Sequence, residues 1–343
     1  MHPEMLFHKI SAWINAILTW SGNGILVFLI LRNSPKTIAN YKYLMLIFAL
    51  FGIFFGFIDI TNQLIIHLHK SAYVIFSSNP MNLPRNVSFW YVGLNCSCYG
   101  MVLSLLAFHF IYRFLAVCKP DHILLFSFPR NLMLVSIFLF VTFEYWLSCV
   151  LMAGESEDVD VYIRDTMLVT YGLEQQDYTY VSSLFHKYDV ETGNEYLSIK
   201  DLAFVGNLLA LITAGFSTIF YCWYRIHSEL SRYNHSRRTL DMQRQLFQAL
   251  IAQTMFPVFF LFIPAGILLC FPIFKLGVGA FEDVLVPMIT IQPFMDSLVP
   301  MYFIRDYRKA ILRIIGKGSN EVASAPSSDL PTVSLRSRSL AAQ

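Results

Sequence analysis

Seven long apolar runs divide this 343-residue chain, and their length limits the folds that the chain can adopt. Each run holds enough residues for a helix that crosses the ~30 Å hydrocarbon core of a bilayer at about 1.5 Å per residue. A backbone in hydrocarbon has no water to satisfy its amides, and the runs lack the period-two alternation of a membrane barrel. The sequence therefore predicts an all-α membrane protein, a bundle of seven transmembrane helices. The predicted spans are 10–31, 43–66, 88–117, 131–152, 202–226, 246–271 and 281–304.

Composition supports this interpretation, because 56% of the residues are hydrophobic and only 14% are charged. Soluble domains contain about 25% charged residues, and so many apolar residues could not all be buried in one soluble core. A soluble enzyme and a nucleic-acid-binding protein are therefore not expected. The seventh run contains Pro287, Pro293 and Pro300, which predict a kinked helix.

Basic residues give the orientation of the bundle. With the amino terminus outside, 18 of the 25 Lys and Arg residues fall on cytoplasmic segments. Because Lys and Arg are retained on the cytoplasmic side, we expect an extracellular amino terminus and a cytoplasmic carboxyl terminus. The predicted organisation is an outer segment 1–9, the bundle 10–304 with an acidic outer loop 153–200, an amphipathic juxtamembrane segment 305–316 and a disordered cytoplasmic tail 317–343.

No metal or cofactor site is predicted. Residues 189–195 resemble a calcium-binding loop, but their glycine comes one position early and Lys200 stands where the closing Glu belongs. An acidic, solvated loop is the expected structure of 153–200. Among the six cysteines, Cys96 or Cys98 could pair with Cys149, but buried free thiols are the simpler interpretation. A glycosylation sequon begins at Asn86, and its use stays open.

Four separate motifs resemble those of one receptor family. The end of the first run reads NGILVFLILRNSPK over 23–36, and YKYLM follows at 41–45. The third run closes with HFIYRF at 109–114, and the sixth begins with ALIAQTMFP at 249–257. With Pro293, Asp296 and the pair Tyr307 and Arg308, this combination resembles the nematode serpentine chemoreceptors of class r, also called the Str type, over roughly residues 10–315.

The resemblance implies a receptor for an odorant or a soluble chemical cue, located in the plasma membrane of sensory cilia and coupled to a heterotrimeric G protein. Serines of the tail would then be available to a kinase or an arrestin, and an unmodified, solvated tail is an equal alternative. The family's Tyr-Arg motif corresponds to Tyr112 and Arg113, and it makes Arg113 the counterpart of the arginine that engages the G protein. The other switch residues that the resemblance assigns are Pro257, Asp296, Tyr307 and Arg308.

Two departures from the family pattern bear on this switch. Gln292-Pro293 and Asp296-Ser297 stand where relatives often have Tyr-Pro and Asp-Pro. Relative to rhodopsin-like receptors, Tyr112 replaces the acid that precedes the arginine. Arg113 therefore lacks a neighbouring acid, and its resting partner must come from elsewhere, for example from a backbone carbonyl or a group on the sixth helix. Arg113 could instead act only as an anchor at the membrane interface.

Helical spacing places the candidate ligand-binding residues. Asn95 lies 18 residues before Arg113, which is five turns at about 3.6 residues per turn, and Tyr99 lies beside the same stripe. If Arg113 faces the bundle axis at the inner end, Asn95 and Tyr99 face it near the outer end, with Asp59 as a third candidate. These residues are expected to line a small, mostly apolar cavity, although ordinary hydrogen bonding between helices is an equal alternative.

Two other functions compete with that of a receptor. A ligand-gated channel or a transporter with seven helices needs a polar stripe along a helix or an internal repeat, and neither is visible. An intramembrane aspartyl protease needs two carboxylates at one site, but Asp59 should lie ~12 Å above Asp296 by helical rise. Asp296 could instead pair with Asn23 of the first helix. Glu144 has a structural role in this interpretation.

Overall fold

The protein is a bundle of seven membrane spans in a computed structural model, which describes residues 3–35, 38, 40–188, 193–232, 237–277, 279, 281–314 and 316. Within this part of the chain six helical segments are long and apolar enough to cross a membrane, and a bent pair of helices supplies the seventh span. The first five spans are α1 (Pro3–Asn33), α2 (Tyr41–Asn62), α3 (Arg85–Cys118), α4 (Asn131–Met152) and α6 (Ile199–Arg232). The seven predicted spans are thus confirmed as helices, while the predicted tail 317–343 lies outside the described residues.

The sixth span changes its helical form at the middle. It consists of α7 (Arg237–Pro257), a π-helical turn (Val258–Phe262) and α8 (Ile263–Cys270). The π turn lies between Pro257 and Pro264, and each proline lacks the N–H that would continue the α-helical ladder. Such turns mark bending points and often lie at functional sites.

The seventh span is kinked, as its prolines predict. Helices α9 (Phe281–Thr290) and α10 (Gln292–Phe303) meet at an angle of 46°. Helix α1 contacts both sides of this kink, because Asn15 Nδ2 donates to the carbonyl of Pro287 at 3.2 Å and Asn23 Nδ2 donates to that of Pro293 at 3.0 Å. Asn23 therefore joins the first and seventh spans through a backbone carbonyl and not through Asp296, which corrects the expected pairing.

A three-stranded antiparallel sheet covers the outer end of the bundle. It is formed by β1 (Ile65–His69), β2 (Ala72–Ser77) and β3 (Thr179–Leu184), in that order. The predicted second span continued to residue 66, but α2 ends at Asn62 because Gln63 adopts a left-handed backbone conformation with φ 49°. Ile65 and Ile66 are strand residues, and a short apolar run does not by itself distinguish a strand from a helix end.

The acidic segment 153–200 is folded, which corrects the expectation of a solvated loop. It contributes β3, the hairpin strands β4 (His186–Tyr188) and β5 (Glu195–Leu197), and helix α5 (Glu157–Tyr171). Buried apolar residues recur at every fourth position of α5 and pack against one face of the sheet, while Glu157, Asp158 and Asp165 are exposed. These buried residues are Val159, Ile163, Met167 and Tyr171.

An ion pair holds this outer cap on the bundle. Arg85, the first residue of α3, contacts Glu155 at 3.2 Å. Burial raises the pKa of the Glu155 carboxyl, and the charge of Arg85 opposes this rise. Helix α1 begins at Pro3 and not at residue 10 as predicted. Its Met5 packs into the apolar core between the sheet and α5.

The third span lies at the centre of the bundle, where α3 packs against α2, α4, α6 and α7. Small residues permit this close packing. A Cβ atom on Gly100 would lie 2.7 Å from the ring of Tyr145 of α4, and one on Gly215 of α6 would lie 2.7 Å from Leu103 of α3. A larger residue at either glycine would therefore require Tyr145 or Leu103 to move.

The bundle ends at the cytoplasmic side in the short amphipathic helix α11 (Arg305–Ile314). Its Tyr307 is fully buried, and the Tyr307 hydroxyl lies 2.7 Å from the hydroxyl of Ser34 after α1. Arg308 is exposed, and its Nη1 donates to the carbonyl of Tyr302 at 3.5 Å. Of these two predicted switch residues, Tyr307 thus fixes α11 against the first span, and Arg308 faces the solvent side.

Candidate functional site

A small apolar cavity of about 140 Å³ lies directly beneath the outer sheet. An apolar cavity of about 150 Å³ is large enough for a molecule the size of benzene. The walls come from the sheet and from the third to the seventh spans, and none of the lining residues carries a charge. Residues that contribute to it include Ile66, Tyr73, Ile75, Cys96, Tyr99, Tyr145, Cys149, Phe204, Leu208, Leu261, Phe262, Ala265, Gly266 and Ile289.

Three tyrosines and Ser182 supply the hydroxyl groups of this cavity, and the tyrosines come from three different elements. Tyr73 comes from β2, Tyr99 from α3 and Tyr145 from α4. Their hydroxyls make no hydrogen bond within the part of the chain that the structure describes. A bound molecule with a carbonyl or hydroxyl group could therefore satisfy one or more of them, while its remainder contacts apolar side chains.

Of the three predicted ligand-binding residues, only Tyr99 is among the side chains that line the cavity. Asp59 and Asn95 are buried next to each other between α2 and α3, with 7% and 0% of their surface exposed. Neither polar atom of the Asn95 side chain makes a hydrogen bond, and Asp59 Oδ1 is also without one. The ring of Tyr99 packs at an angle against Phe55 at 5.4 Å, on the same side of α3 as this polar pair.

The cysteines at the cavity wall form no disulfide. Cys96 of α3 and Cys149 of α4 are buried free thiols that line the cavity, and Cys98 is likewise a buried free thiol. The sequon at Asn86 lies in the first turn of α3, where the hydroxyl of Ser88 is buried 2.8 Å from that of Thr179 in β3. The same contact ties α3 to the sheet above the cavity.

The sequence does not predict that these three tyrosines meet. Helical spacing indicates which residues face the bundle axis only for α3, where Arg113 provides a reference position. Tyr73 belongs to a hairpin that was not predicted, and Tyr145 is one of many aromatic residues in α4.

Glu144, next to Tyr145 in α4, accepts hydrogen bonds from Ser148 at 2.9 Å and from Asn207 of α6 at 2.7 Å. Glu144 thus joins α4 to α6 and has no contact with Asp59.

Arg113 is buried at the inner end of α3, with 2% of its surface exposed. Its Nη2 donates to the carbonyl of Gln243 at 3.2 Å and to the Gln243 side-chain Oε1 at 2.5 Å. Gln243 belongs to α7, so a group on the sixth span is the partner that replaces the missing acid. The guanidinium also lies 5.4 Å from the centre of the Tyr41 ring, where a cation–π attraction is favourable.

Aromatic residues support Arg113 from the side of α2. The Tyr41 hydroxyl lies 3.0 Å from Nδ1 of His109. Tyr112 packs between the rings of Tyr41 at 5.4 Å and Phe126 at 4.9 Å. Phe126 ends the short 3₁₀ helix Pro120–Phe126 of the second cytoplasmic loop, so Tyr112 connects Arg113 to that loop.

The seventh span contacts the sixth at Asp296. This carboxyl accepts a hydrogen bond from Gln292 on the preceding turn of α10. Gln253 of α7, which lies four residues before Pro257, donates to the backbone carbonyl of Asp296 at 3.5 Å. The predicted residues Asp296 and Pro257 therefore lie on two neighbouring spans at the same level of the bundle.

Fold and sites together define a receptor of the seven-helix class, with an outer cavity and a buried arginine at the inner end. The chain belongs to the family described as "Serpentine type 7TM GPCR chemoreceptor Str", which matches residues 8–312. It is consequently a multi-pass membrane receptor and not an enzyme. The earlier resemblance to this family is confirmed.

Relatives of nearly full length have similar descriptions. "Serpentine receptor class r-10" of Caenorhabditis elegans is 27% identical over 314 residues, covering 90% of this chain and 91% of that protein. The protein of the same description from Caenorhabditis briggsae is 26% identical over 303 residues and covers 86% of each chain. "G-protein coupled receptor str-33" of Caenorhabditis elegans is 22% identical over 333 residues and covers 93% of each chain.

A solved structure with the same architecture is that of squid rhodopsin. Its TM-score is 0.54 at 11% sequence identity, and the alignment covers 91% of this chain and 81% of that chain. At this identity the likeness concerns the fold alone.

Proposed function

We propose that this receptor binds a small, neutral, mostly apolar chemical cue in the cavity beneath the outer sheet and activates a heterotrimeric G protein at its inner end. The observation that carries the proposal is that the same two spans form both sites. Tyr99 and the π-turn residues Leu261 and Phe262 line the cavity, while Arg113 and Gln243 meet at the inner end of those spans.

A ligand in the cavity would therefore contact the point at which the sixth span bends. By helical rise, Tyr99 lies ~21 Å from Arg113 along α3. A change in the bend at the π turn would move Gln243 relative to Arg113 and open a cytoplasmic cleft. Because ligand and G protein would both favour this open state, each should tighten the binding of the other by the same factor.

The chemistry of the lining restricts the ligand. No charged side chain is present to neutralise a carboxylate or an ammonium group, and burying an unpaired charge is strongly unfavourable. The three free tyrosine hydroxyls suit a ketone, aldehyde, ester or alcohol. We propose that the ligand is of this class and acts as an odorant, and that the receptor lies in the plasma membrane of sensory cilia. Membership of the chemoreceptor family and the similarity to a G-protein-coupled receptor support this proposal.

Replacing the cavity tyrosines by Phe should weaken the response without affecting folding. For Tyr99→Phe we expect the midpoint of the dose–response curve to rise ~2- to 12-fold, which corresponds to one lost hydrogen bond of ~0.5–1.5 kcal/mol. Tyr73→Phe and Tyr145→Phe test the other two hydroxyls. The measurement is second-messenger accumulation in cells that express the receptor, with a ligand found in a panel of volatile carbonyl compounds and alcohols.

Tyr224→Phe is the matched control, because Tyr224 of α6 is 60% exposed on the outside of the bundle and does not line the cavity. This variant should leave the midpoint unchanged. If all three cavity variants respond like Tyr224→Phe at equal surface expression, the cavity is not the binding site of that ligand.

A further inference from the structure

Two layers of structure separate the cavity beneath the outer sheet from the extracellular side. Ile66, Ile75 and Val181 of the sheet line the cavity. Ile65 and Val74 of the same sheet pack into the apolar core that it shares with α5. A ligand that arrived from the extracellular water would have to separate both layers, and the paired strands would then lose hydrogen bonds of their ladders.

A second space, the lateral crevice, opens toward lipid between α4 and α6. Its volume is about 230 Å³, and residues of α3, α4 and α6 form most of its lining. Ile137 of α4 and Ala214 of α6 belong to this lining and are exposed on the outside of the bundle. Gly100 and Gly215 also line it, and neither has a side chain that could fill it. An apolar molecule dissolved in the bilayer can therefore enter between these two helices.

The lateral crevice and the cavity have one wall in common. The side chains that line both spaces are Tyr99, Tyr145, Ile212 and Phe262. This shared wall consists of side chains, which can change rotamer while the helices keep their backbone hydrogen bonds. Phe262 is the last residue of the π turn, so the shared wall also borders the bending point of the sixth span.

The two spaces differ in the polar groups that they offer to a ligand. In the lateral crevice, the hydroxyls of Ser104 and Thr218 donate to carbonyls of their own helices at 3.0 and 2.9 Å. Apart from the shared wall, the described lining of the lateral crevice contains no other polar side chain. The cavity offers the free tyrosine hydroxyls. A ligand with one polar group would therefore pass through the lateral crevice and be retained in the cavity.

We propose that the ligand enters the cavity from the bilayer, between α4 and α6, and that the shared wall is the gate through which it passes. This inference rests on the proposed function and adds the entry route to it. A small, neutral, mostly apolar molecule leaves water for the membrane, so the bilayer concentrates it beside the lateral crevice. Because Phe262 belongs to the gate and to the π turn, a ligand that displaces its ring acts directly on the bend of the sixth span.

Time-resolved photolabelling of the full-length receptor in nanodiscs tests this route. The probe is azihexanol, a short alkanol that carries a diazirine in its chain. Light flashes at increasing delays after mixing give the rate at which cavity residues are labelled, and mass spectrometry of peptides locates the label. Ala214→Trp fills the lateral crevice and should slow cavity labelling on the order of tenfold. Labelling at long delay should stay unchanged, because an obstruction slows entry and exit by the same factor.

Thr213→Trp is the matched control, because Thr213 is the neighbouring exposed residue of α6 and lines neither space. Its rate of cavity labelling should equal that of the unmodified receptor. Ala214→Cys and Thr213→Cys repeat the comparison in receptor that has already folded. Reaction with benzyl methanethiosulfonate after reconstitution should slow cavity labelling in Ala214→Cys and not in Thr213→Cys.

The possible failures of the route and of the cavity are distinguishable. Equal rates of cavity labelling in Ala214→Trp and Thr213→Trp, and in the two modified Cys variants, would overturn lateral entry and leave the cavity in place. If the probe labels no cavity residue of the unmodified receptor at any delay, the cavity is not a binding site for such molecules, and the proposed function and its entry route are both overturned.

Discussion

Arg113→Ala is expected to abolish ligand-evoked G-protein activation while the receptor still reaches the cell surface. The guanidinium is buried beside Tyr41 and bound by Gln243, so it is not an arginine that merely extends to the lipid headgroups. In an open cleft the released guanidinium would offer its N–H donors to the G protein. Nucleotide exchange on a purified G protein, measured with the receptor in membranes, gives the maximum and the midpoint of the response.

The control is Arg225→Ala, because Arg225 also lies near the inner end of its span but is exposed. If Arg113 only fixed the topology, both variants would reach the surface and signal normally. The low-affinity site for ligand should remain in Arg113→Ala, since the cavity lies ~21 Å away along α3. A variant with unchanged maximum and midpoint would assign Arg113 an anchoring role.

Gln243→Ala should have the opposite effect and raise activity in the absence of ligand. The Gln243 side chain accepts a hydrogen bond from a charged donor, and such bonds contribute ~1.5–3 kcal/mol. If this bond exists only in the resting state, its loss shifts the equilibrium toward the open state by roughly 10- to 150-fold. A receptor that is about 1% open without ligand would then be open in a large fraction of molecules.

Basal nucleotide exchange per receptor at the surface is the measurement for this variant. Gln248→Ala serves as the control, because Gln248 lies on the same helix and is exposed. It should show the basal activity of the unmodified receptor. Equal or lower basal activity in Gln243→Ala would mean that the bond between α3 and α7 does not hold the resting state.

The membrane spans and the kink could be predicted because they follow from local properties of the chain. Length and apolarity are sufficient to recognise a span, and Pro287 and Pro293 flank the observed 46° bend. The outer cap was missed because β1 and β2 are short, largely apolar runs between two spans. Helix α5 left a visible signal in the spacing of Val159, Ile163 and Met167, but the acids between them dominated the interpretation.

The candidate sites were predictable only where one helix carries both positions. Counting along α3 placed Tyr99 near the outer end and Arg113 at the inner end. Which group on another helix meets them depends on rotation and crossing of the spans, which the sequence does not specify. Gln243 as the partner of Arg113, and the Pro293 carbonyl as the partner of Asn23, are contacts of this kind.

The dependence of the ligand response on the G protein tests the central claim most directly. Cells that express the receptor would be exposed to the panel of small neutral compounds, with and without their heterotrimeric G-protein α subunits, while second messenger and membrane current are recorded together. We expect a compound that evokes a second-messenger response in the first cells and neither signal in the second. A ligand-evoked current that persists without G proteins would contradict this account and favour a ligand-gated channel.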